Sequence, residues 1–589
     1  MKTKVNRNFI WANTFVNQLA ALGVKYACIS PGSRSTPLTY SLAINKKIKC
    51  FVNIDERSSA FFALGLAKAS NIPVVIVTTS GTATAELYPA IIEAYQQRTP
   101  LIICTADRPP ELIGTGANQT INQYNLYRNH IRWFRDVGLP STKEHSLRYL
   151  QRVAFKSYKI SRSDKGPVHI NFPLKKPLEP FSFDDEADEK LFSLKPLREL
   201  KKDFSKIKIE KDRKVNRVAE LMMHFEKGLI VVGPMGYNAE VAKNIKDLAS
   251  VIKYPILADG VSHLRFKVSK SEKYLIANYH SFLSSNKFCK KYKPDFILHF
   301  GGTPTSANLI DYLADCDAER FQVNKFGDLN DPSRKTKKIL NYPASPFTKA
   351  INDLLSKEKF ERKQSKWIAA FTKADFISKN VTSNLFKLNK KLNEPQTIRE
   401  LVKTLSSKIN LFVGNSLPIR DFDYFSGTSS KLFNIYFNRG ASGIDGIVST
   451  ALGAASIKKP TILLLGDLSF LHDLNSLLIA KKNKIPLMIV VINNNGGGIF
   501  QTLPISKKKK LLKEYFVSPQ NLKLNDIVKA FGVKYKLIKN KNQLKMAVNN
   551  LDLNSPIVLE IKTNANESAK MRKKIFSDVK AEIDKQLTG

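Results

Sequence analysis

Short, largely apolar runs alternate with longer helix-period segments along this chain, and that alternation restricts its fold more than any other feature. Residues 24–29, 50–54, 74–78 and 101–105 read as strands, with residues 58–69 and 83–95 as helices between them. Strands without a polar face need cover on both sides. Helical crossovers supply that cover and make the strands parallel. A second such block runs from about residue 215 to 347, with strands at 229–232, 256–258 and 296–300. A third runs from about residue 397 to the end, with strands at 410–413, 433–437, 461–465, 487–492 and 557–561. The stretch 175–203 is charged, carries prolines and has weak periodicity, so it reads as a linker; the lysine-rich stretch 356–393 reads as a helical connector. The tail after Asn566 reads as a basic amphipathic helix that docks. The expectation is an α/β chain of three successive open parallel-sheet domains, over residues 1–180, 205–350 and 395–589.

Composition narrows the function classes. With 589 residues and 43% hydrophobic residues the chain can bury several cores. Its longest apolar runs, such as 461–465 and 485–492, are far shorter than the ~20 residues that span a bilayer, and the N-terminus lacks the apolar region of a signal peptide. A cytoplasmic protein without a membrane partner is expected. Cys28, Cys50, Cys104, Cys289 and Cys316 form no C-x-x-C pair, which argues against a disulfide framework or a zinc site. The formal charge of +43 would suit nucleic acid, but the basic residues are scattered and no aromatic-interleaved basic motif occurs, so no nucleic acid is expected. A positive field also gathers anionic small substrates.

The most specific local signal lies in the third block. The strand 461–465 ends in Gly466-Asp467-Leu468-Ser469, the strand 487–492 ends in Asn493-Asn494-Asn495-Gly496-Gly497-Gly498, and 27 positions separate Asp467 from Asn494. Loops at strand carboxyl ends converge on one edge of an α/β sheet, where ligands bind. The Asp467 carboxylate, the Asn494 amide oxygen and the Gly496 carbonyl are hard oxygen ligands suited to Mg²⁺ or Mn²⁺. Backbone N–H groups of residues 467–469, at a helix start, can meet a phosphate. Either half alone would pass for a helix cap or a glycine turn. Together the two halves resemble the metal and diphosphate motif of thiamine-diphosphate enzymes. In the first block Glu56 follows a strand and opens a helix, where such enzymes carry the glutamate that meets N1′ of the cofactor's aminopyrimidine. In that superfamily the glutamate and the diphosphate site of one active centre come from different subunits, which implies a homodimer or homotetramer.

Longer strings carry a closer resemblance. Ser30-Pro-Gly-Ser-Arg-Ser-Thr-Pro-Leu38, Asp55-Glu-Arg-Ser-Ser-Ala60, Thr79-Ser-Gly-Thr-Ala83, Asp107-Arg-Pro109, Gly116-Ala-Asn-Gln119, Gly414-Asn-Ser416 and Asn438-Arg-Gly-Ala-Ser-Gly-Ile-Asp-Gly446 resemble, in order, the 2-succinyl-5-enolpyruvyl-6-hydroxy-3-cyclohexene-1-carboxylate synthases of menaquinone biosynthesis. The resemblance implies a transferase that decarboxylates 2-oxoglutarate on thiamine diphosphate and adds the succinic-semialdehyde carbanion to isochorismate. Both substrates carry two carboxylates, which arginine binds bidentately. By matching motifs, Ser33, Arg34, Arg108, Gln119, Ser416, Arg420 and Arg439 line the substrate site, and Ile499, Phe500 and Leu503 form its apolar wall. Ser80, Gly81, Ser442, Gly466, Asp467, Leu468, Ser469, Asn494, Gly496 and Ile499 hold the cofactor with Glu56, and Ile444 props it into its bent form. For Ile444 and the three wall residues, ordinary core packing is the rival reading.

One position departs from the family pattern. Where a substrate-binding lysine is expected after a central strand, the chain has Ala307 and Asn308. The lysine run 507–510 is either a solvated loop or a flap over an anionic site. Two rival functions are another thiamine-diphosphate 2-oxo acid lyase or decarboxylase, and a basic non-enzymatic interaction protein on the same scaffold.

Overall fold

Three parallel sheets of six strands each carry the chain, in a computed structural model that describes residues 2–198, 209, 212–269, 272–389, 391–407, 409–457, 460–552 and 554–588. At the N-terminus β1 (Lys2–Val5) stands apart from the first sheet, which is built from β2 (Tyr26–Ile29), β3 (Lys49–Val52), β4 (Val74–Thr78), β5 (Leu101–Asp107), β6 (Trp133–Asp136) and β7 (Pro167–Pro173) in the order β3-β2-β4-β5-β7-β6. After β8 (Asp185–Asp188) come β9 (Gly228–Val232), β10 (Ile256–Ala258), β11 (Leu275–Ile276), β12 (Phe296–Phe300), β13 (Glu319–Val323) and β14 (Lys338–Leu340), ordered β11-β10-β9-β12-β13-β14. The third sheet, β16-β15-β17-β18-β20-β19, contains β15 (Asn410–Val413), β16 (Asn434–Phe437), β17 (Thr461–Gly466), β18 (Leu487–Asn493), β19 (Lys534–Leu537) and β20 (Ile557–Lys562). The central strands β4, β5, β9, β12 and β18 are buried nearly throughout, as strands covered by helices on both faces must be.

Local chemistry explains where the elements differ from the sequence expectation. The strand expected from residue 24 starts at Tyr26, because the helix Arg7–Leu22 ends at Gly23 with φ 100° and Val24 donates back to the Leu19 carbonyl, so the helix cap consumes these residues. The helix expected over 83–95 is two helices, Thr82–Glu86 and Tyr88–Gln96. Pro89 has no N–H to continue the first one. The expected linker 175–203 is in part a structural element: β8 pairs antiparallel with β1, Lys2 opposite Asp188. Residues 199–203 of that linker, and 205–208 at the expected start of the second domain, lie outside the described residues. The connector 356–393 contains the helix Lys366–Leu388, whose Trp367, Phe371, Ala374 and Ile377 are buried with Ile575, Val579 and Ile583 of the C-terminal helix Ala565–Thr588 under the second sheet. Burial of those residues docks the tail.

The first and third sheets meet through two helices, Glu56–Ser70 and Ile447–Ala455. Phe61, Phe62 and Leu66 join Ile447, Val448, Ala451 and Leu452 in one core. The backbones touch where side chains are missing: a Cβ on Gly65 would lie 1.9 Å from the Thr450 carbonyl oxygen, and one on Gly453 2.1 Å from that of Phe62. Among the described residues no helix is long and apolar enough to cross a membrane.

Candidate active site

β17 and β18 are parallel neighbours, with Gly466 opposite Ile492, so their carboxyl-end loops emerge side by side. Gly466 leads into the helix Asp467–Leu471. The buried Asp467 carboxylate accepts N–H groups from Leu468 at 2.9 Å and Gly496 at 2.8 Å. The Leu468 N–H, expected to meet a phosphate, is thus turned to Asp467. Burial pushes the Asp467 carboxyl up to about 6 against these N–H bonds. Asn495 at φ 62° and Gly496 at φ 131° turn the loop back toward Asp467, and a Cβ on Gly496 would come within 2.1 Å of the Val517 carbonyl oxygen. Asn494 donates Nδ2 to Glu394 at 2.8 Å, while its Oδ1 is buried with no hydrogen-bond partner. A buried carboxylate and a buried unpaired amide oxygen at adjacent strand ends are the donor set of a hard divalent cation, so the expected metal fits the residues present.

Beside this edge the turn Gly498–Thr502 packs on the C-terminal helix. Ile499 and Phe500 are half-buried and Leu503 is 44% exposed, so none of the three is fully covered as a core residue would be. The Phe500 ring meets Phe516 edge-on at 5.3 Å. Lys507 to Lys510 follow, all exposed.

Ser416 and Ser442 both sit at positive φ, 69° and 62°, a conformation that costs a non-glycine residue about 1 kcal/mol or more and concentrates at functional sites. Arg420 donates to the Ser416 carbonyl at 2.8 Å. Burial lowers the pKa of Arg439, Asp259 from the second sheet opposes this, and Arg420 repels it. The loop bearing Arg439 is clamped from the first domain. Glu93 accepts the N–H groups of Gly440 at 2.9 Å and Ala441 at 2.7 Å. The Lys68 ammonium, pushed down to about 8 by burial, donates to Phe437 O at 2.5 Å and Asn438 Oδ1 at 2.6 Å. Ile444 is half-buried further along this loop.

The first sheet carries its own group. Arg108 donates to Ser80 Oγ at 2.8 Å and reaches Gln119 Oε1 at 3.4 Å, and Ser80 Oγ donates to the Gln119 carbonyl at 2.8 Å. Gln119 has φ 54°, and a Cβ on Gly81, itself at φ 83°, would lie 3.2 Å from the Gln119 backbone. Arg34, buried, is held by the Leu174 carbonyl at 2.7 Å; burial, then the charge of Arg108, lowers its pKa, and Asp107 only partly offsets them. Ser33 is exposed beside it. Glu56 opens its helix behind the Asp55 cap, and burial, then Asp55 and Glu86, raises its pKa. Among the described residues Glu56 makes no hydrogen bond to Asp467, Asn494 or Gly496.

One chain therefore brings the expected residues together in two groups: Ser33, Arg34, Ser80, Gly81, Arg108 and Gln119 on the first sheet, and Ser416, Arg420, Arg439 and Ser442 with the Asp467–Asn494 edge on the third. The start of the Glu56 helix is tied to the segment after Asp467: Arg57 donates to the His472 carbonyl at 3.0 Å and Ser58 to Asp473 at 3.2 Å. Asp473 also accepts the Ser449 N–H at 2.7 Å, and burial raises its pKa from 3.8 to about 6. Between those values the folded chain keeps a proton that the unfolded chain has lost. The stabilisation this gives is complete below pH 3.8 and gone above about 6. Relative to Asp473→Asn, which cannot ionise, the wild type should lose on the order of 3 kcal/mol of unfolding free energy between about pH 4 and 7, read from urea midpoints.

Where the central lysine was expected, Ser306 caps the helix Ala307–Ala314, and Asn308 donates to the His280 carbonyl at 2.7 Å. Asn308 thus has an internal structural partner and brings no cation. Glu394, Arg572, Lys68 and Glu93 were not foreseen as site residues. Lys68 was the most legible of them, a cation inside the otherwise apolar C-terminal half of its helix.

Comparison with known proteins identifies the family. Family models match three stretches in succession: the N-terminal TPP binding domain of thiamine pyrophosphate enzymes over residues 11–126, the middle domain over 194–413 and the C-terminal TPP binding domain over 429–561. The chain is 37% identical over 584 residues to a 2-succinyl-5-enolpyruvyl-6-hydroxy-3-cyclohexene-1-carboxylate synthase of Bacillus cytotoxicus, covering 98% of each chain. Its identity to the proteins of the same name from Geobacillus kaustophilus and Listeria welshimeri is 36% and 35%, covering 98% and 94% of this chain and 99% and 94% of theirs. The chain belongs to the 2-succinyl-5-enolpyruvyl-6-hydroxy-3-cyclohexene-1-carboxylate synthase family of thiamine-diphosphate-dependent enzymes.

Proposed function

We propose that this transferase decarboxylates 2-oxoglutarate and joins the remaining four-carbon unit to isochorismate by conjugate addition, in menaquinone biosynthesis. The observation that carries the reading is the donor group on the first sheet, where Arg108 donates to Ser80 Oγ at 2.8 Å and reaches Gln119 Oε1 at 3.4 Å beside the buried Arg34. Arginine binds carboxylates through paired charge-assisted hydrogen bonds, and both substrates are dicarboxylates.

Asp467, Asn494 and the Gly496 carbonyl would hold Mg²⁺ or Mn²⁺, and Gly466 and Ser469 would lie against the diphosphate. Bound thiamine diphosphate supplies a carbon nucleophile and an electron sink. Glu56 would hold a proton at the aminopyrimidine N1′, and burial raises its pKa. Ser80, Gly81, Ser442 and Ile444 shape the cofactor's bed. Ser33, Gln119 and Ser416 orient substrate oxygens, while Ile499, Phe500 and Leu503 exclude water from the reacting carbon.

The two groups of residues lie on separate sheets of one chain, and a second copy would complete each site, so the active form is a homodimer or homotetramer. Ile54, 70% exposed next to Asp55, and Tyr515, 67% exposed beyond the wall, are apolar surfaces at the two groups that such a contact would cover. Sedimentation showing only monomers in active solutions would refute it.

The decisive assay mixes the protein with thiamine diphosphate, Mg²⁺, 2-oxoglutarate and isochorismate and follows isochorismate loss and product mass. Loss requiring all four components supports the reading. Bound cofactor without isochorismate loss would mean a different acceptor or 2-oxo acid, and the acceptor side is where Ala307 or Asn308 stands in place of the expected lysine. Arg439→Ala should raise a substrate KM by about 10- to 100-fold, the weight of one charge-assisted hydrogen bond, with a smaller change in kcat.

A further inference from the structure

Asn494 can serve a metal only through its oxygen, yet its amide has two ends of similar shape, and something must decide which end faces the cation. Glu394 stands against the nitrogen end: Asn494 donates Nδ2 to Glu394 Oε1 at 2.8 Å. A carboxylate only accepts, so this contact takes the nitrogen and leaves Asn494 Oδ1 at the other end of the amide, where it is buried and unpaired. Glu394 is 2% exposed and is itself built in. It begins the helix Glu394–Thr404, its N–H donates to Ser568 Oγ at 3.3 Å, and Arg572 of the C-terminal helix ion-pairs with its second oxygen. Arg572 also donates Nε to Asp421 Oδ1 at 2.7 Å, on the helix Leu417–Phe425 that carries Arg420. The C-terminal helix, two helices of the third domain and the β18 loop thus meet in one buried network. A buried carboxylate beside Asn494 is tolerable because Arg572 offsets its charge.

Resting on the assignment of Asn494 as a metal ligand, we propose that Glu394 is a positioning residue that selects the oxygen end of the Asn494 amide for the metal, with Arg572 locking Glu394 in place. The glutamine variant separates this from a space-filling role. In Glu394→Gln, Arg572, which only donates, attracts the amide oxygen of the new side chain. Its NH₂ group then faces Asn494 and turns the Asn494 oxygen away from the metal. Glu394→Ala makes a hole but imposes no orientation. Arg572 keeps its Asp421 partner in both variants, so the C-terminal helix stays docked.

The test is a Mn²⁺ titration of the full chain with saturating thiamine diphosphate, free Mn²⁺ being read by electron paramagnetic resonance. Glu394→Gln should bind Mn²⁺ about 10- to 100-fold more weakly than wild type, the usual weight of a group that orients a ligand. Glu394→Ala should lose less. Near-wild-type affinity in Glu394→Gln, or a larger loss in Glu394→Ala than in Glu394→Gln, would overturn the proposal. Asp467→Ala tests the underlying ligand assignment separately: Mn²⁺ binding that survives it intact means that the ligand set, not the role of Glu394, is wrong.

Discussion

Glu56→Gln should lower turnover by about 10²- to 10⁴-fold while thiamine diphosphate still binds. Glutamine matches glutamate in shape but cannot hold and release an acidic proton at N1′. The surroundings make the comparison clean. Asp55 caps the helix by accepting the Ser58 N–H at 2.9 Å and takes a second bond from Asn475, also at 2.9 Å, and Arg57 is tied to His472. None of these contacts involves the Glu56 carboxyl, so the variant should melt near the wild-type temperature. Calorimetric binding of thiamine diphosphate beside steady-state rates would separate the two properties. Full activity in the variant would remove Glu56 from its assigned role.

Gly65→Ala should destabilise the chain by about 3 kcal/mol, against a helix propensity that alone would favour alanine by about 1 kcal/mol. The new methyl would lie 1.9 Å from the Thr450 carbonyl oxygen and 2.9 Å from the Ala454 nitrogen, and both are backbone atoms that can retreat only if the helix Ile447–Ala455 moves. That helix begins just after the loop carrying Arg439, Ser442 and Ile444, and the Gly65 helix begins at Glu56. A shift at their crossing should therefore reach both groups of site residues, and activity should fall with stability. Gly236→Ala is the control: the methyl it adds would meet no atom within 4 Å, and its urea midpoint should stay at the wild-type value. Equal midpoints for the two variants would mean that the crossing is looser than its glycines indicate.

Much of this protein was legible along the chain because the signals were local. Buried strands such as Val74–Thr78 and Phe296–Phe300 announce themselves by largely apolar runs. Asp467 and Asn494 were legible because the residues flanking them, glycines and strand ends, are required by the same local geometry. What failed locally had a local cause that periodicity does not weigh, as with the Gly23 cap or Pro89 in the middle of a helical pattern. Strand β8 was hidden because its partner β1 lies at the other end of the first domain and its residues, Asp185–Asp188, carry no apolar alternation.

The sequence by itself determined the three-fold α/β plan, the residues at the strand ends and the family. The tertiary structure alone decided which partners those residues meet. Glu394 reads locally as the first residue of a helix and Arg572 as one more cation in a basic tail. Folding closes 178 positions of chain between them and sets both behind Asn494. Likewise Lys68 and Glu93 grip a loop more than 340 positions away. Contacts at such separations depend on how sheets and helices stack, and a buried charge is stable only where the stack supplies its partner. That requirement acts in three dimensions and leaves no periodic mark on the chain.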